Sequence, residues 1–175
     1  VWDDKAESVR DTAPAARQIT IQDLMRHTSG LSYGGSGTSM LYKQYAPSSN
    51  GASRTLTGQE LMDKMAALPL AHQPGTVWEY SMAVDILGRV VEVASAKRLA
   101  VVLDERLFKP LKMVDSSFWL PASKMPRLVQ PLPVDPASGQ KVSVLDVSAE
   151  PMNDSGGAGA LSTAMDYLRF GQMLL

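Results

Sequence analysis

The stretch Pro74-Gly75-Thr76-Val77-Trp78-Glu79-Tyr80-Ser81-Met82-Ala83-Val84-Asp85-Ile86-Leu87-Gly88 decides how this chain is read. A Pro-Gly pair marks a turn, an aromatic-rich piece suited to extended backbone follows, and helical periodicity begins after Tyr80-Ser81. Hydroxyls at a loop-to-helix junction can face a cleft while the helix behind them is anchored in a core. Tyr80 is therefore a candidate for chemistry. A tyrosine that simply packs at the head of a buried helix is the competing reading, and Tyr80 alone leaves both open.

C-terminal to the junction, Ile86, Leu87, Val90, Val91 and Ala94 repeat at helical spacing, which predicts a helix over about 83–96 with Asp85, Arg89 and Glu92 on its outer face. A second helix is expected over 99–108, ending before Pro110. N-terminal to the junction, Thr57-Gly58-Gln59-Glu60 has capping-box spacing and opens a helix through Leu61, Met62, Met65 and Leu68 that Pro69 stops. Thr20 and Asp23 repeat the spacing, with Ile21, Leu24 and Met25 as the apolar face and Gly30 as the stop. His27 has no nucleophile or carboxylate at an informative spacing, so it is expected to bond to backbone near the helix end. Residues 32–55 read as a mobile loop with a short helix near 40–45; Gly34-Gly35-Ser36-Gly37 lacks the Gly-Lys-Ser/Thr of a phosphate cradle.

The segment 121–150 is proline-rich, and Val129–Val134 is expected to pair with Lys141–Val147 as a hairpin around Asp135–Gly139. Ser138-Gly139-Gln140-Lys141 spells Ser-x-x-Lys. As a nucleophile motif it would need Ser and Lys one turn apart on a helix face, and a Gly-containing turn before a β-branched run does not provide that backbone. The end of the chain has a glycine-rich turn, Ser155-Gly156-Gly157-Ala158-Gly159, then a third capping box at Thr163 and Asp166. Leu168, Met173 and Leu174 continue the apolar face of the helix it opens.

The fold class expected from these elements is mainly α with a small β element confined to 116–147. The chain divides into a lead-in at 1–18, a helical region at 19–120, the proline-rich segment at 121–150, and a glycine-rich turn with a helix at 151–175. With 175 residues it holds one domain, or one domain and a piece of another. Hydrophobic residues make up 45% and charged ones 20%, an ordinary globular balance. A net charge of -1 gives no electrostatic case for nucleic acid or an anionic membrane. The absence of cysteine excludes disulfides and thiolate nucleophiles. No apolar run approaches a membrane span of about 20 residues. The start at Val1 has neither an initiator Met nor the pattern of a signal peptide, so the chain is expected to be cut from something longer.

Four segments carry a resemblance. Ile19-Thr20-Ile21-Gln22-Asp23-Leu24-Met25-Arg26-His27-Thr28-Ser29-Gly30-Leu31 looks like the signature helix and His-Thr-Ser-Gly-Leu loop of the serine β-lactamase-like hydrolases. That group comprises class C β-lactamases, DD-peptidases and family VIII carboxylesterases. Tyr80-Ser81-Met82 resembles its Tyr-Ser or Tyr-x-Asn element. Leu111–Phe118 resembles its Pro-Leu-Gly-Met-x-Asp-Thr-Ser-Phe stretch, with Lys112 where Gly is usual, so that Lys112 either adopts a strained left-handed turn or uses another one. The glycine-rich turn into Ser162-Thr163-Ala164-Met165-Asp166 is similar to the family's as well. The order matches throughout, and the tyrosine element is most similar to family VIII carboxylesterases. Met82 stands where class C β-lactamases carry Asn, which weakens the lactam assignment.

The resemblance implies a helical region of the serine β-lactamase/DD-peptidase-like fold, without the flanking parts that build the α/β sheet. It implies acyl-enzyme chemistry on a small-molecule ester or lactam, with Tyr80 as the catalytic residue and no cofactor or metal. Ser81, Met82, Gly156 and Gly157 would border the substrate cleft. An ordinary tyrosine ionises near pH 10, and lowering that value by three units takes about 4 kcal/mol of preferential phenolate stabilisation, as from nearby ammonium groups. The family's nucleophilic serine, its lysines and its oxyanion hole belong to motifs outside this chain, so the fragment alone is expected to be inactive. A non-catalytic sensor or binding module of the same fold is the alternative reading, and a free-standing helical scaffold is a third.

Overall fold

In a computed structural model the described residues are 1–2, 8, 11–142 and 145–175. The element order is α1 (Ile21–Arg26), a 3-10 turn (Tyr42–Gln44), α2 (Ser49–Thr55), α3 (Gly58–Ala66), α4 (Ala83–Ser95), α5 (Leu99–Leu103) running on as a π-helical stretch (Asp104–Phe108), a 3-10 turn (Met125–Arg127) and α6 (Ala164–Leu174). The expected helices form, with ends differing by one or two residues. Among the described residues, strand is limited to isolated bridges at Trp2–Thr12, Ser117–Leu161 and Val134–Lys141. Two of these involve residues outside 116–147, which corrects the expected confinement of β structure. The Val134–Lys141 bridge closes the expected hairpin; residues 143 and 144 of its second arm lie outside the described residues.

Local chemistry sets most of the helix ends. Thr20 and Thr57 form full capping boxes, each accepting from the backbone N–H three residues on while Asp23 or Glu60 reaches back. Thr163 accepts from the Asp166 N–H, but the Asp166 carboxylate turns elsewhere. Only 1% exposed, it accepts from the Asp115 N–H at 2.7 Å, Ser116 Oγ at 3.1 Å and Arg169 at 2.7 Å. The third box is therefore half a box, its acid spent on tying α6 to 115–116. The loop expected over 32–55 contains α2, which Ser48 caps by accepting from the Gly51 N–H at 3.1 Å. Ser49-Asn50-Gly51 are poor helix formers, so propensity gave no sign of it.

The core gathers Leu24, Leu31, Leu41, Tyr45, Leu61, Met65, Met82 and Ala83 from the first half of the chain. Burial pushes the Tyr45 phenol up, and its hydroxyl donates to the Pro69 carbonyl at 2.8 Å. The long helix α4 lies against α1 and α5. The glycine-rich turn packs against α4 beside α5: a Cβ at Gly156 would come 2.4 Å from the Val84 carbonyl oxygen, and one at Gly88 would meet both Leu99 and Gly156. The expected apolar face of α1 is corrected: Leu24 is buried, but Ile21 and Met25 are 54% and 60% exposed, and the inward position goes to Asp23. On α6, Leu168, Met173 and Leu174 are exposed.

Candidate functional site

The Tyr80 junction is built by two loops that hold each other. Ala71 N–H donates to the Gly30 carbonyl at 2.7 Å, Gly75 N–H to Thr28 at 2.7 Å and Glu79 N–H to His27 at 2.9 Å. Gly30 has φ +81 and lies so close to the other loop that a Cβ would sit 2.1 Å from the His72 carbonyl oxygen. The expected helix stop is therefore a contact glycine, and α1 ends earlier, at His27 in the left-handed region with φ 55 and ψ 36. The base of this loop is pinned by Asp23, which accepts two bonds from Arg17 at 2.6 and 2.8 Å and one from Thr28 Oγ1 at 3.1 Å. The Arg17 guanidinium, then Thr20, hold the Asp23 carboxyl far below the usual carboxylate range.

His27 does more than end a helix. Its Nδ1 is 3.3 Å from the Ser81 N–H and 3.4 Å from Ser81 Oγ. A backbone N–H can only donate, so Nδ1 is the acceptor and the imidazole is neutral with its proton on Nε2. Burial lowers the His27 pKa, in agreement with that form.

From Trp78 to Ser81 the side chains alternate, as extended backbone requires. Trp78 is 67% exposed and Tyr80 55%, whereas Glu79 turns inward and Ser81 is buried. The Tyr80 ring lies between two others, its centroid 4.8 Å from His27 and 5.5 Å from Tyr33. Trp78 meets His27 edge-on at 6.2 Å.

Behind Tyr33 runs a chain of buried hydrogen bonds. Ser49 Oγ donates its one proton to Asp85 Oδ2 at 2.5 Å, so the Tyr33 hydroxyl is the donor to Ser49 Oγ at 2.6 Å. Asp85 Oδ1 accepts from Ser155 Oγ at 2.6 Å and from the Gly157 N–H at 3.3 Å. Asp85 is 5% exposed, which overturns its expected place on the outer face of α4. One carboxylate thus joins α4, α2 and the glycine-rich turn, and through Ser49 reaches the tyrosine beside Tyr80. Burial is also the main reason the Tyr33 phenol is raised.

Tyr80 thus stands open at the surface. The side chains of Ser81 and Met82 are inside, with the residues 2% and 0% exposed. Gly156 and Gly157 line an apolar hollow of about 350 Å³ with Leu87, Val91 and Leu99, and Tyr80 does not border it. The two sets are linked through Asp85 rather than by sharing one cavity. His27, Tyr33, Glu79 and Asp85 were not among the expected site residues; the alternation of Trp78, Glu79 and Tyr80 was the one signal in the sequence that could have turned Glu79 inward. No group of three or more His, Cys, Asp or Glu side chains able to hold a metal ion occurs among the described residues. No helix among them is long and apolar enough to cross a membrane.

The family model described as Beta-lactamase matches residues 1–175, and the chain belongs to that family of serine hydrolases. It is similar to the lovastatin esterase of Penicillium rubens, 34% identical over 170 residues that cover 93% of this chain and 41% of that one. Esterase EstB of Burkholderia gladioli is 33% identical over 174 residues, covering 86% and 43%. Among solved structures, EstCE1, a hydrolase with promiscuous acyltransferase activity, superposes with a TM-score of 0.67 at 24% identity, over 89% of this chain and 45% of that one. The chain spans about two fifths of the length of the curated relatives it matches.

Proposed function

We propose that the chain is the central portion of a serine hydrolase that cleaves small-molecule esters through an acyl-enzyme, with Tyr80 as the proton acceptor. Flanking sequence supplies the nucleophilic serine, the lysines that favour phenolate and the α/β sheet that closes the cleft. The serine oxygen bonds to the ester carbonyl carbon as its proton passes to the Tyr80 oxygen. Collapse of the tetrahedral intermediate breaks the ester C–O bond, and the leaving alkoxide takes that proton. Water, deprotonated the same way, then releases the acid and restores the serine. The observation that carries this reading is Tyr80 itself, half open to solvent on a junction fixed by paired loops, a neutral His27 and Tyr33. Ser81 and Met82 act beneath it, setting the start of α4, while Gly156 and Gly157 form the back wall.

Esters are favoured over lactams because Met82 offers no amide to a lactam's acyl side chain, and because the two curated relatives reported above are named esterases. Those names leave a sensor module without support. The test is an assay of the full-length parent on a p-nitrophenyl ester and a chromogenic cephalosporin. Rapid ester turnover with little cephalosporin turnover is expected; the reverse preference would overturn the ester assignment. The 175-residue chain alone should turn over neither.

A further inference from the structure

Glu79 sits one residue before Tyr80; its side chain is only 16% exposed, and its carboxylate collects partners from three segments. Ser32 Oγ, fully buried in the loop after α1, donates to Oε1. His72 Nε2 lies 2.7 Å from Oε2, from the loop leading to Pro74-Gly75, and the Tyr42 hydroxyl of the 3-10 turn donates to the same oxygen at 3.2 Å. The Glu79 backbone N–H is held as well, by the His27 carbonyl at 2.9 Å. Main chain and side chain are both fixed, immediately beside the tyrosine.

We propose that Glu79 is the positioning residue of Tyr80, which deepens the function proposed above and rests on Tyr80 being the proton acceptor. Neighbouring side chains on extended backbone point to opposite faces. Drawing Glu79 inward onto Ser32, His72 and Tyr42 therefore turns Tyr80 outward and seats its ring between His27 and Tyr33. The rings alone leave freedom along the strand, because aromatic contacts tolerate sliding; the carboxylate removes it. A proton acceptor displaced by about 1 Å can lose on the order of 10²-fold in rate.

In the full-length parent, Glu79→Ala is expected to lower kcat roughly 10- to 100-fold with KM within about twofold. Rates are taken per active site titrated with a fluorophosphonate. Glu79→Gln should recover most of the loss, because its carbonyl still accepts from Ser32 and its amide still meets His72. A second measurement needs no turnover: 19F NMR of 3-fluorotyrosine-labelled protein, with the Tyr80 resonance assigned by its absence in Tyr80→Phe. That resonance should shift or broaden in Glu79→Ala and return in Glu79→Gln. An unmoved resonance overturns the proposal, as does a lowered Tm with wild-type kcat per titrated site. If Glu79→Ala does not fold, Ser32→Ala removes one donor and is read by the same resonance. Should Tyr80→Phe keep full turnover, the catalytic reading falls, while the resonance still decides whether Glu79 positions the ring.

Discussion

Two stretches of this molecule present a hydroxyl beside a glycine turn, and they have opposite fates. At Tyr80 the backbone is clasped by the 27–30 loop, the ring is flanked by His27 and Tyr33, and Glu79 is anchored from three sides. At Ser138 the residue lies in an exposed turn whose order is local. Asp135 accepts from the N–H groups of Ala137 and Ser138 at 2.7 and 3.2 Å, and Gly139 has φ +69 with nothing near its Cβ position. Ser138 and Lys141 are on a hairpin, so the spelling Ser-x-x-Lys has no helix to put the two on one face. The difference teaches that a hydroxyl is a candidate for catalysis only together with the structure that holds it still.

The largest expected effect tests that contrast directly. In the full-length parent, Tyr80→Phe should lower kcat by about 10²–10⁴-fold and leave KM and the melting temperature nearly unchanged. Phenylalanine keeps the ring between His27 and Tyr33 and deletes only the hydroxyl. Ser138→Ala should leave kcat where it was. Burst kinetics abolished by Ser138→Ala would reverse the assignment.

Next comes the support behind the site. Asp85→Ala leaves the hydroxyls of Ser49 and Ser155 and the Gly157 N–H without their acceptor in a buried place. Bonds to a charged group contribute about 1.5–3 kcal/mol each, and some are remade, so a loss of about 3 kcal/mol is expected. Denaturant unfolding of the parent measures it. A loss below about 1 kcal/mol would mean that the network is decoration.

How far the sequence showed this arrangement depends on range. Thr20 and Thr57 were legible because a capping box is complete within four residues. Asp166 has the same spacing, but its carboxylate binds Asp115 and Ser116, a choice settled by residues some 50 positions away. Asp85 is harder still. A helical wheel marks it as polar and assigns it to solvent, whereas its partners arrive from α2 and the glycine-rich turn. Tyr80 could be singled out from its junction and its resemblance; Tyr33 and Glu79 could not, since their roles exist only once the loops close.

A smaller effect concerns the imidazole under the site. Because burial lowers the His27 pKa, the folded protein declines a proton that the unfolded chain takes up near pH 6.5. The associated stability is present in full above that pH and is lost as pH falls below it. His27→Asn keeps a residue suited to the left-handed position and removes the titration. The drop in melting temperature between pH 7.5 and 5.5 should therefore be smaller in the variant. An identical drop would show that His27 does not report on its burial.

The smallest effect separates strain that serves the site from strain that does not. His27 and Lys112 share a left-handed backbone, with φ 55 and 56. Such a conformation costs an L-residue roughly 1–2 kcal/mol, and glycine occupies it freely at the expense of a more disordered unfolded chain. Lys112 is an exposed turn residue whose N–H bonds to the Lys109 carbonyl at 3.0 Å, a contact glycine would keep. Lys112→Gly should therefore stabilise by about 0.5–1 kcal/mol, seen as a rise of about 1–3 °C in melting temperature. His27→Gly relieves the same strain but deletes the ring that accepts from Ser81 and lies against Tyr80. It should lose stability where Lys112→Gly gains it. Equal gains from the two substitutions would mean that the imidazole contributes nothing to the junction, and the contrast between a supported motif and a bare turn would rest on Glu79 and Asp85 alone.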